Sequence, residues 1–320
     1  MDAVRKEKYR RILEPLVIFS FLAIIYGVYH WRSSSKRENT GLLEKADSYY
    51  NTILVYQGND GRRRMVFGFD RKHYFECVHN PADPMEMQLQ YMPLMTLGVV
   101  YHPHPVTMLS IGMGGGKVSS YLLATLPQLQ YTEVELDPDV VRLAKKYFDY
   151  KDTPRRTVVV DDGRKFLMGS PQHFDIVMLD AYRGAFVPFH LLTEEFYGEV
   201  KKHLAPGGIV VQNIDSTTLL FDSTIATLHK VFDQAEYYSS GGSVVAIAYD
   251  GPPKTAEELN ARAKSLDSQY HFRYGLEEML RGRTSPMLKA DAKPLTDDFA
   301  PVDTLNAIAI HDRKMDAGEQ

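Results

Sequence analysis

The sequence predicts an α/β fold in which an open, mostly parallel sheet carries helices on both faces. Three observations carry that prediction. From Val106 onward, short apolar β-prone runs alternate with segments whose apolar residues recur at helical spacing. The first run closes in a glycine cluster, Ile111-Gly-Met-Gly-Gly-Gly-Lys117. Acids stand where later runs end, at Glu135, Asp137, Asp162 and Asp180, and ligands of such sheets bind outside the strands' carboxyl ends.

Residues 1–40 differ from the rest. Arg5, Lys6, Lys8, Arg10 and Arg11 precede an apolar run from Leu16 to Tyr29, closed by His30 and Trp31. No small-residue cleavage site follows, so the expectation is an uncleaved membrane-anchor helix over about 12–31. Five basic residues before the run against three just after it, Arg32, Lys36 and Arg37, slightly favour an external main domain. Cytosolic supply of nucleoside cofactors argues for the cytoplasm, and we expect a single-pass cell-membrane protein with its catalytic domain there. Residues 38–47 read as a polar linker. Over 48–84 the pattern is β, with a hairpin around Asn59-Asp60-Gly61, and predicts a small β appendage.

Residues 85–250 form the expected main domain. Met85–Val100 is apolar at helical spacing, then Val106–Ile111 reads as the first core strand. The glycines let the backbone approach a ligand, and Val118, Tyr121, Leu122 and Leu126 mark the helix behind them. Gln130–Glu135 is the second strand, with Asp137-Pro138 opening a helix. An acid about twenty residues past the glycines is where a ribose diol is gripped. Thr157–Val160 and Phe174–Leu179 are further strands, and Thr193 caps a helix that runs to Leu204. Pro206-Gly-Gly turns into strand Ile209–Asn213, a helix covers Leu220–Val231, and Ser243–Tyr249 is the last strand. Residues 251–320 read as a polar helical extension and tail.

Composition narrows the function classes. Hydrophobic content of 44% and charged content of 24% are ordinary for a globular chain. A net charge of -4 gives no basic field for nucleic acid. Cys77 is the single cysteine, which excludes an internal disulfide, and a buried structural thiol is its expected role. The eleven histidines include no HExxH, and no metal site is expected.

The ordered set of glycine loop, Glu135-Leu136-Asp137, Asp161-Asp162-Gly163, Phe174-Asp-Ile-Val-Met-Leu-Asp180 and Leu192-Thr-Glu-Glu-Phe-Tyr197 resembles the spermidine synthase (polyamine aminopropyltransferase) family. The likeness is greatest to its membrane-associated bacterial branch, with Asp-Ala-Tyr182 and a Thr-Asp-Asp-x-Ala-Pro tail. It covers about residues 48–250, plus the tail at 295–303. It implies a Rossmann-like, class I methyltransferase-type sheet. It also implies an S-adenosylmethionine-type donor, decarboxylated or intact, as co-substrate, and a small-molecule amine acceptor; a homodimer is a family habit. Carried over by position, Gly112, Gly114 and Gly116 would line the thioether arm, and Glu135, followed by Asp137, would bind the ribose. Asp162 would bind the adenine amino group, with Gly163 beside it. Asp180 would stand next to the attacking amine, and Tyr182 and Arg183 would meet the acceptor.

The departures point elsewhere. The family's acid inside the glycine loop falls at Gly115, with Lys117 close by. Its acid three residues past the reactive aspartate is Arg183, and its His-Glu pair falls near Glu86-Met87. A cation pocket that loses acids and gains bases disfavours a polyamine acceptor and a decarboxylated donor. Two alternatives therefore stand beside aminopropyl transfer: a methyltransferase or aminocarboxypropyl transferase using intact S-adenosylmethionine, and a non-catalytic membrane-anchored binding or assembly module.

Overall fold

The computed structural model describes residues 41–68, 75–184, 186–289 and 291–298. The expected anchor and the tail residues from Phe299 onward lie outside the described residues. Among those described, no helix is long and apolar enough to cross a membrane.

Two sheets form. The smaller is antiparallel, in the order β1 (Gly41–Asp47), β2 (Thr52–Gln57), β3 (Arg63–Phe67), β4 (Cys77–His79). The expected hairpin joins β2 to β3, pairing Gln57 with Arg63. The expected linker at 38–47 is corrected: most of it is β1. Its alternation is hidden because it is an edge strand whose polar side chains serve a helix. Glu44 pairs with Arg142 at 2.6 Å and Lys146 at 2.7 Å, while Ala46 is its one buried residue.

Two short helices, α1 (Tyr91–Met95) and α2 (Gly98–Tyr101), lead into the main sheet. The expected helix from Met85 starts later, and Met85–Gln90 is irregular. Then follow β5 (Thr107–Ile111), α3 (Lys117–Thr125), β6 (Gln130–Glu135), α4 (Pro138–Tyr147), β7 (Arg156–Val160), α5 (Gly163–Gly169), β8 (Phe174–Leu179), α6 (Glu194–Lys202) and β9 (Leu204–Asp215). The chain continues through α7 (Phe221–Val231), β10 (Gln234–Ser240), β11 (Ser243–Tyr249), α8 (Ala256–Tyr270), α9 (Leu276–Leu280) and β12 (Arg283–Thr284). The sheet order is β12-β10-β11-β9-β8-β5-β6-β7. The five strands from β9 to β7 are parallel, and β11, β10 and β12 add an antiparallel edge.

Two expectations change here. Pro206-Gly-Gly is no turn before a strand; it is a bulge inside β9, where the register jumps from Leu204 to Ile209. β10 escapes sequence reading because it carries polar residues, among them Glu236, buried and bonded by Tyr249 at 2.9 Å.

Alternation along the strands builds two cores, since successive side chains face opposite sides. Met108, Ile176 and Val211 face the helices α2, α3 and α8. Leu109, Val177 and Val210 face α5, α6 and α7. A third cluster matters most for function: Ala46, Ile53, Val55, Met65 and Cys77 of the small sheet pack on Val140, Leu143 and Phe148 at α4. That contact lays the small sheet across the carboxyl edge of the main one.

Candidate active site

The strand order reverses at β5, which runs between β6 and β8. Loops leaving opposite sides of that point part, and a crevice opens at the strands' carboxyl ends. A cavity of about 760 Å³ occupies it, roofed by residues of the small sheet. All ten residues predicted from the sequence line it: Gly112, Gly114, Gly116, Glu135, Asp137, Asp162, Gly163, Asp180, Tyr182 and Arg183.

The glycine loop is shaped for close approach. Gly112 has φ +88°, and a Cβ there would lie 2.4 Å from the carbonyl oxygen of Asp180; no L side chain fits. A Cβ on Gly115 would meet Cys77 Sγ at 2.2 Å. The glycine there is required by the buried thiol of the roof, so an acid has no room at that position. Cys77 is fully buried and free, as expected.

Glu135 ends β6 and is sewn to the loop. Its carboxylate accepts from the N–H groups of Met113 at 3.1 Å and Asp137 at 3.0 Å. Burial nonetheless pushes it up to about 7, against those hydrogen bonds. Asp137 lies on the cavity wall, but its carboxylate caps α4 through Asp139 N–H at 2.9 Å and takes a hydrogen bond from Ser48 in the turn between β1 and β2. Asp162 caps α5 through Lys165 N–H at 2.9 Å and meets His190 Nε2 at 2.9 Å. The His190 contact, first among several causes, holds it below the ordinary carboxylate range. Gly163 lets that first turn sit against Ile111, 2.2 Å from where a Cβ would be.

Asp180 ends β8 at the centre of the floor. Asn213 Nδ2 donates to one carboxylate oxygen at 2.9 Å, and Tyr91 Oη to the other at 3.2 Å. Burial outweighs both bonds and pushes it up to about 7. Tyr182 is fixed by its hydroxyl, which donates to Asn213 O at 3.1 Å and accepts from Asp215 N–H at 2.9 Å. Arg183 donates to the Tyr50 carbonyl at 2.9 Å, tying the floor loop to the small sheet.

The two bases expected at the cavity, Lys117 and Arg183, do line it, but both are committed to protein partners. Lys117 is buried, and its ammonium is held by His79 Nδ1 at 3.0 Å and by the Pro84 carbonyl. It serves the junction of roof and loop. Sequence reasoning also missed four residues: Tyr91, Asn213, His190 and Glu76. The first three reach the predicted acids from distant elements. Glu76 lies on the cavity wall just ahead of β4, with one carboxylate oxygen buried and unbonded. No motif marks it. Among the described residues, no group of three or more His, Cys, Asp and Glu is placed to hold a metal ion.

Comparison with known proteins agrees with this geometry. Residues 88–241 match the spermine/spermidine synthase domain. The polyamine aminopropyltransferase of Vibrio vulnificus is 29% identical over 308 residues, spanning 92% of this chain and 99% of that protein. An eEF1A lysine and N-terminal methyltransferase homolog of Drosophila melanogaster is 29% identical over 230 residues, 67% of this chain and 32% of that protein. A probable spermidine synthase from Corynebacterium glutamicum superposes with a TM-score of 0.63 at 19% identity, over 82% of this chain and 99% of that one. With the glycine loop, the strand-end acids and the switch-point cavity in place, residues 88–241 carry the spermine/spermidine synthase domain, and the chain is similar along most of its length to a polyamine aminopropyltransferase.

Proposed function

We propose that the chain is an aminopropyltransferase that moves a three-carbon amine from decarboxylated S-adenosylmethionine to a small-molecule amine. The observation that carries the reading is the gathering of Glu135, Asp162 and Asp180 around one cavity beneath a glycine loop that excludes side chains. Glu135 takes the ribose hydroxyls, and Asp162 with His190 meets the adenine amino group. The sulfonium is already activated, so the protein's work is mainly positioning. The acceptor nitrogen attacks the carbon beside sulfur; the N–C bond forms, the C–S bond breaks, and its electron pair neutralises the sulfur to give methylthioadenosine. An aliphatic amine with a pKa of about 10 is protonated at neutral pH. Asp180, raised towards neutrality, orients that amine and accepts its proton or passes it to water.

The test is product analysis of the full chain given decarboxylated S-adenosylmethionine and a panel of diamines. Methylthioadenosine released one-for-one with aminopropylated amine is expected. A methylated product with S-adenosylhomocysteine, formed from intact donor, would replace this reading with the methyltransferase one, which the Drosophila likeness favours. Absence of turnover with either donor would leave the binding-module reading. The reading extends to a cell-membrane enzyme, on the strength of the apolar run at 16–29, whose catalytic domain faces the cytoplasm, where nucleoside cofactors are supplied. Recovery of the full chain from cell membranes by salt alone would refute that part.

A further inference from the structure

The cavity presents a charge problem. Glu76 stands where the small sheet meets the glycine loop, its backbone carbonyl 3.4 Å from where a Cβ on Gly114 would be. One carboxylate oxygen is buried with no hydrogen-bond partner. A backbone hydrogen bond from Gly184 is the stabilising contact on the group, while Asp180 and Glu135 both repel it. The nearby base, Lys117, is committed to His79 and Pro84. A buried, half-bonded carboxylate facing two others is costly unless something positive joins it.

We infer that Glu76 is the donor-side ammonium receptor, taking the terminal –NH₃⁺ of the aminopropyl arm and rejecting donors that keep a carboxylate there. This deepens the proposed function and rests on it. On the proposed function the arm runs from the nucleoside held at Glu135 to the reacting centre at Asp180, and Glu76 lines the same cavity and interacts with both acids. An ammonium supplies the missing hydrogen-bond donor and favours the ionised form of Glu76 beside the other two carboxyls. Intact S-adenosylmethionine would set a fourth carboxylate against them. The acid that has no room at Gly115 is thus supplied from the roof, one residue ahead of the thiol that forbids it.

Calorimetry of the full chain tests this, using decarboxylated S-adenosylmethionine, the intact donor and methylthioadenosine, which lacks the arm. Glu76→Gln keeps the shape and removes the charge. It should weaken the decarboxylated donor by about tenfold or more, the range of a charge-assisted hydrogen bond. Methylthioadenosine should bind as before, which also reports that the variant is folded. The preference for decarboxylated over intact donor should narrow, and Glu76→Asp, which keeps the charge, should retain part of it. Unchanged affinity of Glu76→Gln for the decarboxylated donor would overturn the inference while leaving the proposed function standing. Equal weakening of methylthioadenosine would overturn it too, marking Glu76 as merely structural. A wild-type chain that prefers the intact donor, or binds none of the three, would remove the proposed function and this inference with it.

Discussion

The two ends of the cavity treat their carboxylates differently. At the nucleoside end, Glu135 and Asp162 are satisfied by nearby backbone: the glycine loop's N–H groups in one case, the first turn of α5 in the other. At the transfer end, Asp180 is held by side chains brought from afar, Tyr91 ahead of β5 and Asn213 on β9. Glu76 there is held by even less. The first end is held by hydrogen bonds to backbone close by in the sequence or on the adjoining loop. The second is a concentration of negative charge with protons to trade. Recognition can be built from local backbone, as at Glu135, whereas the carboxyls of the transfer end depend on groups brought from distant parts of the chain; burial raises Glu135 and Asp180 alike.

The largest expected effect comes from Asp180→Asn. Removing a proton acceptor of this kind costs about a hundred- to ten-thousand-fold in turnover. Donor affinity should change far less, because the nucleoside contacts are untouched. In the wild type, turnover should rise as pH rises through about 7, since Asp180 must lose its proton to accept another. Steady-state rates against pH, with donor binding measured separately, check both. Equal turnover in the variant would take Asp180 out of the chemistry and erase the distinction between the two ends.

Asp162→Asn is the converse and should be smaller. Asparagine still caps α5, but its single carbonyl oxygen is then spent on Lys165 N–H, and its amide would face His190 and the adenine amino group. Donor affinity should fall by about tenfold, the worth of one charge-assisted hydrogen bond, with turnover at saturating donor nearly unchanged. A fall in saturated turnover as large as that of Asp180→Asn would show that the nucleoside end also governs the reaction.

The same contrast explains what could be read from the chain. The nucleoside end was legible because its signals are local. A glycine cluster between strand and helix, an acid at the next strand's end, and Asp162 three residues ahead of Lys165 are sequence neighbours. The parallel half of the sheet was legible for the same reason, since each strand and helix announces itself by its own period. Asp180 was legible as a strand-end acid, but its environment was not: Tyr91 and Asn213 are 89 and 33 residues away. The misreading of cavity charge has one cause. Counting Gly115, Lys117 and Arg183 along the sequence takes no account of where the side chains go. Lys117 turns into the roof, Arg183 grips a carbonyl of Tyr50, and Glu76 arrives from a different sheet.

The smallest effect is on stability, and its sign follows the direction in which each carboxyl is shifted: Glu135, Asp180 and Glu76 are raised, Asp162 is lowered. Asp180 and Glu76 hold protons more tightly folded than unfolded, at about 7 and about 8 against ordinary values of 3.8 and 4.5. Between those values the folded state binds more protons, so the stability they contribute is full in acid and is lost as pH rises through 7 to 8. Asp162 is depressed, so its contribution is present at neutral pH and lost as pH falls through its folded value. Thermal melting of the ligand-free chain should show it. Glu76→Gln, which cannot ionise, should melt a few degrees above wild type at pH 8, with the advantage shrinking towards pH 5. Asp162→Asn should do the reverse, melting below wild type at pH 8 with the gap closing in acid. Saturating decarboxylated S-adenosylmethionine should abolish the advantage of Glu76→Gln at pH 8, because the ammonium then does for the native carboxylate what the substitution did for the empty one. If Glu76→Gln melted lower at both pH values, the carboxylate would be a structural strut, and the transfer end of the cavity would shrink to Asp180 alone.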